Sequence, residues 1–159
     1  MKKKLSAFLC FSFFIIIVQA QVDVYSSGIL KLSVSGDIVY INGGFSNAGT
    51  ATFINNGKFY VLGDLVNNET SMSSGSGILH LSGGATQTVS GSQTFKTYDL
   101  KTNNISGIIL NNNLSVSGVD TFASGLITTS STPNYLIYEA GASHTGSADS
   151  RHVNGWVKK

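Results

Sequence analysis

The sequence predicts an all-β fold and, within that class, a right-handed parallel β-solenoid (β-helix). Three observations carry the prediction. Short apolar pieces alternate with Ser, Thr, Asn and Gly from residue 28 onward, each too short for a helix and each closed by Gly or Asn. The phrases repeat loosely: residues 28–33, Gly-Ile-Leu-Lys-Leu-Ser, return as residues 77–82, Gly-Ile-Leu-His-Leu-Ser, and Gly36-Asp37-Ile38 returns as Gly63-Asp64-Leu65. Beyond residue 20 no window holds an apolar period of 3.6 residues, so helix is not expected there. Composition agrees. All 18 glycines lie after residue 20, Pro133 is the only proline, and charged residues make up just 11% of the chain, so its polarity comes from uncharged turn formers.

Taken in order, the first segment stands apart. Lys2, Lys3 and Lys4 precede an apolar run over residues 5–18, and Val18-Gln19-Ala20 has the small-residue form of a signal-peptidase site. Residues 1–20 therefore read as a signal peptide cut between Ala20 and Gln21, leaving no membrane span in the mature chain. The single cysteine, Cys10, leaves with it, so no disulfide is available to the remainder. Loss of the three lysines leaves seven cationic side chains against eight acids, a net charge of −1. With no basic stripe, a nucleic-acid partner is excluded.

Residues 21–159 read as one domain with an N-terminal half (21–68), a polar loop (69–76), a repeat core (77–139) and an irregular tail (140–159). In the N-terminal half, Leu30, Leu32 and Val34 alternate onto one face, and residues 37–41, 50–55, 58–62 and 64–66 are short strands. The core supplies strands at residues 78–81, 86–89, 94–97, 98–102, 107–110, 114–116, 125–128 and 135–138. In a solenoid such strands suffice, because each coil pairs with the next and its inward aliphatic residues stack on those one rung away. The Asn pairs at residues 55–56, 67–68 and 103–104 suit left-handed corners and side-chain ladders between rungs. Coils of roughly 20–25 residues would give about six. The alternative is an antiparallel β-sandwich. Asn56-Gly57 is a good two-residue hairpin turn that would set Phe53 opposite Tyr60, and Asn42-Gly43 could do the same, so a hairpin in the N-terminal half stays open.

Residues 82–91, Ser-Gly-Gly-Ala-Thr-Gln-Thr-Val-Ser-Gly, lead to Phe95, to residues 98–104 (Tyr-Asp-Leu-Lys-Thr-Asn-Asn) and to residues 107–118 (Gly-Ile-Ile-Leu-Asn-Asn-Asn-Leu-Ser-Val-Ser-Gly). This order resembles the repeat phrase of large secreted Bacteroidetes surface proteins with β-helix regions. Residues 122–129, 134–138, 141–146 and 151–158 are similar to the segments downstream of that phrase in the family, and residues 44–50 and 53–57 to its upstream repeats. The resemblance implies a pectin-lyase-like or adhesin-like stalk exported by type IX secretion. Its members usually continue into further modules and a sorting domain, so it also implies that this chain is a truncated member.

No catalytic constellation is legible. Asp37, Asp64, Asp99 and Asp120 are isolated in sequence, and a polysaccharide-cleaving site would need clustered acids beside Lys or Arg. His80 reads as a surface histidine, while His144, Asp149 and His152 lack the spacing of a metal site. Neither a metal nor another cofactor is expected. Tyr135, Tyr138 and Trp156 could contact a glycan if exposed in a row. The expectation is a non-catalytic secreted or cell-surface structural or adhesin-like module, with surface polysaccharide or other surface proteins as partners. The alternatives are a carbohydrate-binding module and, third, a β-helix polysaccharide-degrading enzyme.

Overall fold

The computed structural model describes residues 21–130, 132 and 134–159, so the signal-peptide reading, including Ala20, lies outside the described residues. Among them there is no helix, and every ladder between named strands is parallel. The chain winds as a β-solenoid of about six turns, each turn passing three sheet faces.

The first coil holds β1 (Val24–Ser26), β2 (Ile29–Leu32) and β3 (Ile38–Ile41), and the second β4 (Phe45–Asn47), β5 (Thr52–Asn55) and β6 (Lys58–Val61). The third has only β7 (Leu65–Asn67) and β8 (Ile78–Leu81), because residues 68–77 cross the second face without a strand. Three full coils come next: β9 (Gln87–Ser90), β10 (Phe95–Thr97) and β11 (Asp99–Asn103); β12 (Ile108–Leu110), β13 (Leu114–Val116) and β14 (Val119–Ser124); β15 (Ile127–Thr129), β16 (Leu136–Tyr138) and β17 (Ser143–Thr145). The tail adds β18 (Val153–Asn154) and β19 (Val157–Lys158). The first face is the sheet β1-β4-β7-β9-β12-β15-β18, the third is β3-β6-β8-β11-β14-β17, and the second is split by the strandless crossing into β2-β5 and β10-β13-β16-β19. Successive partners on the first face lie 19 to 26 residues apart.

Period-two alternation sends one side chain in two to the axis. Phe45, Phe53 and Phe59, one from each face of the second coil, meet there with ring centroids 4.8–5.1 Å apart. Leu65, Leu79, Leu81, Leu100, Leu110, Leu114, Ile127 and Leu136 continue the column and are fully buried. Each such aliphatic contributes about 1.5–3 kcal/mol by burial, which one coil could not turn into net stability against its ordering entropy.

No strand pairs as a hairpin across Asn56-Gly57; β5 pairs with β2, and β6 with β3 and β8. Gly57 is required for close approach instead. Its φ is not positive, and a Cβ there would strike the carbonyl of Asp37 on the preceding coil. Phe53 accordingly meets Phe59, not Tyr60. Val34 falls beyond β2 and stands exposed, and the tail expected to be irregular carries three short strands in register.

The asparagines do not occupy left-handed corners either, since every positive φ among the described residues belongs to glycine. They act through their amides. Asn55, Asn67 and Asn104 each sit buried at a different corner of the triangle. Each accepts at Oδ1 from the N–H two residues on, from Gly57 (3.1 Å), Glu69 (3.1 Å) and Ser106 (2.9 Å). Each donates from Nδ2 to a carbonyl of the adjoining coil, to Ile78 (3.1 Å), Thr94 (2.7 Å) and Ala85 (2.7 Å).

A typical intramolecular hydrogen bond contributes about 0.5–1.5 kcal/mol. Replacing Asn104 by Ala removes three at once, with the Ser106 N–H, the Ala85 carbonyl and Gln87 Oε1, and should lower unfolding free energy by about 2–3 kcal/mol in urea titration. The exposed Asn103→Ala should change it by less than about 0.5 kcal/mol.

Candidate functional site

The three tyrosine and tryptophan candidates do not form a row. Tyr138 points into the core, 8% exposed, and its hydroxyl donates to Asp120 Oδ2 at 2.9 Å. Tyr135 is half-buried beside β16, where its N–H donates to Asn113 Oδ1. Trp156 is exposed in the final coil. His144 pairs in register with Asp120 on the third face, and His152 holds the Ala148 carbonyl through Nδ1. No group of three potential metal ligands exists among the described residues.

Two chemically distinct features emerge elsewhere. On the outer side of the third face, Tyr40, Tyr60, His80 and Lys101 stand in one register column. Tyr60 and His80 stack at 4.1 Å with planes 12° apart, and Tyr40 lies 6.0 Å from Tyr60. Tyr60 and His80 cover one another's faces, while Tyr40, tilted by 35°, stays exposed; each pair stabilises the sheet by about 0.5–1.5 kcal/mol. Burial, helped by Lys101 and Lys58, pushes His80 down to about 4, so the ring in the stack is neutral at ordinary pH.

On the outer side of the first face lies a groove of about 510 Å³ crossing β1, β4 and β7. Asp23, Tyr25, Ser46, Asp64, Val66 and Thr86 line it, with no basic residue. Both aspartates are fixed by the backbone: Asp23 Oδ1 accepts from Gly44 N–H at 2.6 Å and Asp64 Oδ1 from Thr88 N–H at 2.7 Å. Tyr25 is 68% exposed and pairs in register with Ser46, whose small side chain leaves its ring uncovered by a neighbouring aromatic. A second groove of similar volume, about 510 Å³, shares Thr86 and continues past Ile105, Ile109 and Thr128. The shape is a shallow trough, suited to holding an extended ligand.

Two buried acids also matter. Glu69 Oε2 accepts from Asn47 Nδ2 and from Phe53 N–H, both at 3.0 Å. Burial pushes its carboxyl up, and these two donors pull it back. Asp120 is fully buried, with Oδ1 unpartnered, and burial raises its carboxyl to about 7 against the opposing Tyr138 hydrogen bond. In the sequence Asp120 reads as an isolated acid. The available signal is alternation: Phe122 faces the axis, so Asp120, two residues before it, must also.

No family model, curated protein or solved structure matches the chain.

The two shifted groups act oppositely on stability. For Asp120 the folded state binds the proton more tightly, so its contribution is complete below the ordinary aspartate value and is lost as pH rises through about 7. For His80 the unfolded state binds it more tightly, so its contribution is complete above about 6.5 and is lost as pH falls through about 4. Urea titrations across pH 4–8 should show Asp120→Asn gaining on wild type as pH rises. His80→Gln should gain on it as pH falls. Parallel curves for the variants and wild type would refute both assignments.

Proposed function

We propose that the chain is a non-catalytic, exported β-solenoid module, displayed at the cell surface as a structural or adhesin-like element. The observation that carries this reading is the use of its carboxylates. Seven of the eight acids accept structural hydrogen bonds. Asp23, Asp37, Asp64, Asp99 and Glu69 hold main-chain N–H groups, Asp120 holds the Tyr138 hydroxyl and Glu139 that of Ser115. General acid–base cleavage of a glycosidic bond needs two carboxyl groups flanking one bond in different protonation states. Here the one strongly raised carboxyl, Asp120, is sealed in the core, away from the acids of the first-face trough. The resemblance of residues 82–118 to repeats of secreted surface proteins supports the same reading.

Protease treatment of intact host cells should remove the chain while cytoplasmic proteins survive. The purified chain should release neither reducing ends nor unsaturated products from neutral or acidic polysaccharides. Protection of the chain in intact cells would overturn surface display. Product release abolished by an Asp→Asn substitution would overturn the non-catalytic reading.

A further inference from the structure

We infer that the first-face trough binds a linear neutral polysaccharide, with Tyr25 as the stacking platform and Asp23 and Asp64 as hydroxyl acceptors. The inference rests on the reading of the chain as a non-catalytic surface module and names what that module would hold.

Four features of the trough converge on this ligand. Its size is the first: two adjoining grooves of about 510 Å³ share Thr86, which favours a chain of sugars over a single one. The second is Tyr25, the exposed aromatic in the trough, with no ring stacked on it among the described residues. A pyranose offers an apolar C–H face that packs on such a ring while its hydroxyls stay at the edges. The third is the pair of anchored carboxylates. With Oδ1 tied to the backbone amides of Gly44 and Thr88, each side chain is fixed without help from the ligand. The second oxygen of each has no hydrogen bond among the described residues, which leaves a preset acceptor for sugar hydroxyls. The fourth is charge. Two acids and no base line the main groove, so a uronic-acid polymer would be repelled and a neutral one admitted.

The third-face column is the contrasting surface. It has Lys58 and Lys101, and two of its rings, Tyr60 and His80, are stacked on one another. An anionic polysaccharide would favour that face, so charge preference in binding distinguishes the two surfaces.

The test is calorimetric titration of the full chain with cellohexaose, xylohexaose, mannohexaose and laminarihexaose, alongside polygalacturonate and calcium chloride as probes. At least one neutral oligosaccharide should bind, with EDTA making no difference. Tyr25→Ala should weaken it about tenfold. Asp23→Asn and Asp64→Asn keep the Oδ1 acceptor for the backbone but replace the free oxygen with a donor, and should each weaken binding several-fold with unchanged melting temperature. Trp156→Ala, in the last coil, should have no effect. Binding of polygalacturonate alone, calcium binding without saccharide binding, or retention of affinity in Tyr25→Ala would each overturn the trough assignment. A chain that binds none of the four sugars also overturns it, while surface display and lack of cleavage would stand. Sugar binding with subsequent cleavage would instead sink the non-catalytic reading.

Discussion

The solenoid depends on satisfying the main chain at its corners. Along the faces, parallel pairing from coil to coil supplies the interior strands with partners on both sides. At a corner the chain must turn, and its N–H and carbonyl groups lose the ladder while still packed against neighbouring coils. Asn55, Asn67 and Asn104 solve this at the three corners with one geometry, an acceptor for their own turn and a donor to the adjoining coil. Glycine does the complementary work where coils come too close for a side chain. At Gly125, φ is +79° and a Cβ would collide with the carbonyl of Asn104. Amide bridges and missing side chains therefore determine where the chain turns, and that spacing in turn sets the apolar column.

The third coil shows what happens when a rung is missing. Residues 68–77 place no strand on the second face, so β5 would present an unpaired edge to the interior. Glu69 closes it by accepting from the Phe53 N–H, the position a carbonyl of the absent strand would take. Met72, from the same segment, is buried in the apolar core, and its sulfur accepts from Lys96 N–H at 3.4 Å. A flexible thioether suits an irregular gap better than a branched aliphatic side chain. The polar loop read from the sequence as a separator is thus a coil segment whose hydrogen bonding has passed from backbone to side chains.

The architecture was legible because a parallel solenoid repeats its demands. Residues 28–33 return as residues 77–82 on a different face, Leu30 and Leu32 on the second and Leu79 and Leu81 on the third, yet both phrases turn the same alternate positions to the core. The hairpin alternative failed because Asn-Gly is ambiguous in sequence. It signals a tight turn when glycine needs positive φ, but Gly57 is glycine for lack of room. The site was far less legible. Tyr135, Tyr138 and Trp156 were singled out by residue type near the C-terminal end, and only knowledge of inward and outward positions separates Tyr138 from an exposed ring. Tyr40, Tyr60 and His80 recur every twenty residues, a periodicity visible in the chain once the coil length is known. The trough had no such signal, because Asp23, Tyr25 and Asp64 come together only when coils are stacked.

This origin constrains how such a protein can acquire a function. Most of its acids are acceptors for the fold, so changing one to serve chemistry would usually unsatisfy a backbone amide. Asp23 and Asp64 differ from the other backbone-bound acids in lining the trough. A carboxylate has two oxygens, and an amide that occupies one leaves the other oriented outward from a rigid strand start. The fold thereby positions an acceptor at no additional conformational cost at the start of β1 and again at the start of β7. Recognition by a solenoid of this kind is additive along its axis: each coil offers one or two oriented groups, and affinity comes from a ligand long enough to span several. A linear polymer with a repeating pattern of hydroxyls meets that requirement, whereas a compact ligand would engage one coil and leave the rest of the trough unused.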